Sequence, residues 1–197
     1  MDIAIEMESW RDLFVLLGTS AAALIGLLFI VMTLHIDALE KTAGQNLLAT
    51  VHGARNNTFH LLTVFVVCAM VLAPQPQVAL GLELIAVNLF GLRLPVGFTL
   101  KWIGKNINVD GRGGFPVDTI LTIAAAYILG AAGGVAELAG MDWSLLAVAG
   151  SSVLLVVRTA LTAWGLLFGA RQATAISQSA STAEPPGAMA NTRSSIE

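Results

Sequence analysis

Four polar residues interrupt stretches that are otherwise apolar: Glu83, Asn88 and Arg93 between Val78 and Leu100, and Arg158 between Ser144 and Ala170. An arginine at the centre of a bilayer costs about 3 kcal/mol on insertion scales, so such a group must face protein or trapped water. Counted at about 1.5 Å per residue from Val78 and Trp143, Arg93 and Arg158 both lie about 22 Å in, with Glu83 about 8 Å in. Two guanidinium groups at one depth, with the acid displaced outward, favour a small anion over a cation. The expected ligand-binding set is therefore Arg158 and Arg93, with Glu83 and Asn88 lining the outer approach. The competing expectation is an internally satisfied network that sets helix register and carries nothing.

The elements that position these residues follow from composition. The chain has 197 residues, 56% hydrophobic and 12% charged, against roughly a quarter charged in ordinary soluble domains. A crossing helix needs about 20 mainly apolar residues, and segments 13–34, 56–73, 78–100, 117–139 and 144–170 reach or approach that length. The expected fold is all-α, a bundle of five transmembrane helices. Residues 1–12 read as an acidic leader (Asp2, Glu6, Glu8) rather than a cleavable signal. Ser9 and Asp12 resemble an N-cap pair at the start of the first helix. Residues 172–197, rich in Ser, Thr, Ala and Pro, read as a disordered tail. Cys68 is the only cysteine, which excludes an intrachain disulfide.

Orientation follows from the basic residues, which concentrate in cytoplasmic loops. Lys41, Arg55, Lys101, Lys105, Arg112 and Arg171 fall on one side, and only Arg11 on the other. This predicts an N-terminus outside and a C-terminus inside. The first inner loop holds enough helix formers, Leu47, Leu48, Ala49, Val51 and Ala54, to extend the second helix inward. Residues 106–116, with Asp110-Gly111 and Gly113-Gly114, read as a turn.

Steps of 100° per residue spread Glu83, Asn88 and Arg93 around the third helix, leaving no clean lipid face if it is straight. Pro95 predicts a kink beside Arg93. On the fifth helix Ser151, Arg158, Thr162, Gly165 and Gly169 form one small and polar stripe, which turns Arg158 inward. Gly18, Ala22 and Gly26 on the first helix, and Gly130 and Gly134 on the fourth, are small-residue ridges suited to close helix packing within one chain or between copies.

His35, His52 and His60 fall around the inner ends of the first two helices and read as interfacial polar residues. His52 and His60 stand about 12 Å apart along one helix, too far to share an ion. No metal site, cofactor or catalytic residue is expected; Glu137 with Tyr127 is the faint exception. The net charge of -3 gives no nucleic-acid signature. Five helices seldom enclose a pore alone, so conduction implies a homo-oligomer in the lipid bilayer. The rival expectation is a non-transporting accessory protein that binds a membrane-protein partner through its cytoplasmic loops.

The stretch Trp10 to Leu34, with Phe14, the small-residue run Gly18 to Ala23 and Gly26-Leu27-Leu28-Phe29, resembles the opening helix of small bacterial polytopic inner-membrane proteins that mostly carry no assigned activity. The resemblance covers about an eighth of the chain. It implies a bacterial inner membrane and no catalytic residue.

Overall fold

In a computed structural model, the backbone is described for residues 3–41, 45–103 and 117–182, and side chains for 10–33, 55–93 and 120–164. The elements are α1 (Ile3–Lys41), α2 (Gln45–Leu72), α3 (Gln77–Ile103), α4 (Val117–Leu138) and α5 (Ser144–Thr182). The described residues are helical with short turns and contain no strand. Four stretches are long and apolar enough to cross a membrane: Trp10–Thr33, Arg55–Leu72, Ile120–Leu138 and Ser144–Trp164. α3 covers the expected third span, but its side chains beyond Arg93, Pro95 included, lie outside the described residues. The 106–116 loop lies outside them too.

Large apolar side chains crowd the outer surface, among them Leu16, Phe29, Phe90, Leu121, Leu161 and Trp164. Water does not tolerate a belt of that extent, and the surface is compatible with an integral membrane protein. Residues 1–163 form one compact unit, and residues from Trp164 onward form a second, whose described part, 164–182, is helical.

Two helix ends differ from expectation. α1 starts at Ile3, two turns before Ser9, because Ile3 to Glu8 are helix-compatible and acidic groups favour a helix N-terminus. α5 carries on to Thr182, through Gln172 where the composition predicts disorder. Adding a residue to an existing helix costs far less than nucleating one, and Ala173, Ala175 and Ala180 favour it. α2 begins at Gln45, so the helix formers of the first loop do extend it.

The turns have local causes. Pro74 and Pro76 stop α2, and Gln75 Nε2 donates to the Met70 carbonyl at 2.9 Å to cap its end. α4 closes in a Schellman motif: Gly140 at φ +67°, with Gly140 N–H on the Glu137 carbonyl (3.0 Å) and Met141 N–H on the Ala136 carbonyl (2.9 Å). Gln77 Nε2 donates to the Glu137 carbonyl at 2.7 Å, tying the start of α3 to the end of α4. Ser144 Oγ donates to Glu137 Oε2 at 2.5 Å, so Glu137 joins α4 to the start of α5.

Packing is set by small residues. Gly18 on α1 seats against Cys68 on α2, where an added Cβ would lie 3.2 Å from the Cys68 Cβ. Gly81 on α3 and Gly134 on α4 face each other so closely that a Cβ on either would stand 3.0 Å from the other's carbonyl oxygen. Gly133 admits Val148 of α5. The expected ridge on α1 divides: Gly18 is an intrachain contact, while Ala22 is exposed and Gly26 has nothing near it. The side-chain surroundings of Gly165 and Gly169 lie outside the described residues.

Candidate functional site

α2 buries a face that reads polar along one edge: Asn57, His60 and Thr63 recur every three residues and are all buried. The other edge, with Leu61, Val64, Val67, Cys68 and Val71, is apolar core. A spacing of three keeps side chains on neighbouring turns of one helix side. Across from His60 stands Tyr127 of α4, with no exposed surface. Gly91 of α3 makes room for it, since a Cβ there would run into the tyrosine ring.

The Tyr127 hydroxyl lies 2.7 Å from His60 Nδ1, and the rings tilt by 51° with centroids 5.6 Å apart. Beside this pair, Thr63 Oγ1 donates to the Phe59 carbonyl at 3.0 Å. His60 Nδ1 donates to the Tyr127 hydroxyl or accepts from it according to the tautomer of the ring. His60 Nε2 has no partner among the described residues. His60 is 1% exposed, so it is buried between helices and does not face solvent.

A second polar group lies one turn further along. Asn88 of α3 is 2% exposed and donates through Nδ2 to the Leu84 carbonyl at 2.8 Å. Its Oδ1 and the Ser151 Oγ of α5 both press on the point where Gly130 of α4 lacks a side chain. Two helices, α3 and α5, thus bring polar atoms together over one glycine of α4. Of the expected anion-binding set, Asn88 is the member that reaches the core.

The charged members go elsewhere. Glu83 and Arg158 are half-buried, and Arg93 is exposed on the surface of a single chain. On α3, Leu82, Ala86, Leu89 and Phe90 are exposed at helical spacing and Arg93 continues that row, so the outward face is apolar but for one charge. The cause is rotation, because Gly81, Leu84, Asn88 and Gly91 turn toward the protein and leave Arg93 on the far side. On α5 the buried row is Val148, Ser152, Leu155 and Thr159, with Ser151 beside it, so Arg158 and Thr162 lie at its edge. Ser152 and Thr162 bond back to their own helix, at the Val148 and Arg158 carbonyls, both at 2.9 Å. Glu137 does not meet Tyr127; it holds the α4 to α5 turn.

Among the described residues no cluster of three or more His, Cys, Asp or Glu could hold a metal ion. The arrangement offers a buried hydrogen bond between an imidazole and a phenol hydroxyl. No protein-family model, no curated protein and no solved structure matches the chain.

Proposed function

We propose that this multi-pass membrane protein assembles with copies of itself to bind and pass a small anion, with Arg93 and Arg158 as the attracting charges. The observation that carries the reading is Arg93 on the exposed face of α3, among Leu82, Leu89 and Phe90. A guanidinium facing hydrocarbon is costly, and covering that face with another subunit places the charge at a shared, hydrated seam. His60, Leu84 and Tyr127 fill the middle of the single chain, which favours a path between copies over one through a protomer. Asn88, buried beside α4, then acts in helix packing, and Glu83 lies on the outer approach. The basic residues Lys41, Arg55, Lys101, Lys105, Arg112 and Arg171 support an inner C-terminus, and the likeness of the first helix supports a bacterial inner membrane.

The test is anion flux into liposomes that hold the purified protein, comparing wild type with Arg93→Leu and Arg158→Leu. Flux above protein-free liposomes, lost in the variants, supports the proposal; background-level flux across a panel of anions refutes it. A second reading, an accessory protein that docks a membrane partner, is favoured by the length of α1 and α5. Each has 39 residues, about 58 Å of helix against about 30 Å of hydrocarbon. Crosslinking through the loop lysines, recovering one stoichiometric partner, distinguishes it.

A further inference from the structure

The ring contact between Phe59 of α2 and Phe90 of α3, with centroids 5.9 Å apart, fixes the register of these two antiparallel helices. One turn beyond it, at the ends away from the Pro74 to Pro76 turn, stand Arg55 and Arg93. Arg55 precedes Phe59 by four residues and Arg93 follows Phe90 by three, about 6 Å and about 4.5 Å of rise in the same direction. Each arginine therefore shares a helix side with its phenylalanine, and both are exposed. Packed helix axes run about 8–10 Å apart, a gap that two guanidinium side chains span with one small anion between them. The described carboxylates stand elsewhere. Glu83 is about 15 Å from Arg93 along α3, Glu137 and Asp142 lie at the α4 to α5 turn, and Asp12 precedes the Gly18 that meets Cys68. The surface beside the two cations is apolar, with Leu62 and Phe65 of α2 and Ala86 and Leu89 of α3 exposed.

We propose that Arg55 and Arg93 together hold the phosphate of one anionic phospholipid, whose acyl chains lie along Phe59, Phe90 and Leu62. Guanidinium forks match phosphate oxygens bidentately, and two of them outweigh the single charge of a phosphodiester. Both arginines stand about 25 Å of helix from the hairpin turn, near the far edge of a hydrocarbon layer about 30 Å thick. Long basic side chains reach the headgroups from that depth. A free phosphate would meet the charges and leave the aromatic pair uncovered, whereas a phospholipid covers both. A zwitterionic lipid brings a third cation to a site that already has two. The site rests on the reading that the protein spans a membrane and not on transport; it shares Arg93 with the proposed seam between copies, and Arg55 belongs to it alone.

The experiment is native mass spectrometry of the full chain released from detergent and titrated with phosphatidylglycerol, phosphatidylcholine or glycerol phosphate. Expected is one phosphatidylglycerol per chain, bound at least about fivefold more tightly than phosphatidylcholine, with no glycerol phosphate bound over the same range. Arg55→Gln and Arg93→Gln each weaken phosphatidylglycerol by about fivefold. Arg11→Gln, exposed at the opposite end of the bundle, leaves it unchanged. Equal binding of the two lipids, an unchanged affinity in Arg55→Gln or Arg93→Gln, or an equal loss in Arg11→Gln overturns the proposal. Glycerol phosphate binding as tightly as the lipid overturns it too, because the acyl chains then play no part. Both substitutions fall on exposed side chains and spare the core, and circular dichroism checks that each variant keeps its helices. Anion flux is read separately in Arg158→Leu, so the lipid site and the conduction proposal fail independently.

Discussion

Replacing Tyr127 with phenylalanine removes one hydroxyl from a site without solvent and leaves the ring in place. His60 Nδ1 then loses the partner it meets at 2.7 Å. It has no bulk water to turn to, since His60 is 1% exposed. A buried polar group left without a partner costs about 1–3 kcal/mol. Interhelical hydrogen bonds inside membranes average about 0.6 kcal/mol and reach about 1.7. The upper part of that range applies here, because His60 has no second described partner to fall back on. We expect Tyr127→Phe to destabilise the chain by about 1.5 kcal/mol, a factor of about 10 in the unfolding equilibrium. The assay is reversible unfolding in mixed micelles with rising denaturing detergent, followed by circular dichroism, for wild type, Tyr127→Phe, His60→Ala and the double variant. The cycle cancels the cavity left by His60→Ala and isolates the pair. The expected coupling is about 1 kcal/mol; a coupling of zero means the His60–Tyr127 bond does not form.

The same unfolding measurement separates the glycines. Gly134→Ala places a Cβ 3.0 Å from the Gly81 carbonyl and 2.9 Å from Ile85 Cγ1, forcing α3 and α4 apart at a cost of about 1–3 kcal/mol. Gly26→Ala meets nothing within 4 Å, and the gain in helix propensity makes it neutral or stabilising by up to about 1 kcal/mol. Equal effects at the two positions would refute the packing. Gly140→Ala forces a side chain into φ +67° and costs about 1–2 kcal/mol, read as a lower detergent midpoint; an unchanged midpoint would contradict the left-handed cap.

Much of the scaffold is legible in the chain. A backbone in hydrocarbon must satisfy its own hydrogen bonds, so the long apolar runs from Trp10, Arg55, Ile120 and Ser144 can only be helices, and Pro74, Pro76 and Gly140 mark where two hairpins turn. The site was legible only in part. Asn57, His60 and Thr63 at a spacing of three were a usable signal of a polar helix edge, but His60 lies near the end of its apolar run and reads equally as interfacial. Nothing in the residues around Tyr127 announces a partner 67 positions away.

What the sequence alone determined is the course of the apolar helices and the turns between them, though not the outer ends of α1 and α5, because those outcomes depend on neighbours along the chain and on the solvent. Tertiary structure decided which side of each helix faces inward. Glu83, Asn88 and Arg93 have fixed angles to one another, but the rotation of α3 as a whole is set by Gly81 meeting Gly134 and Gly91 admitting Tyr127. That rotation buried Asn88 and left Arg93 on the outside. A helix carries its own pattern, while its orientation is a property of the surfaces that close on it.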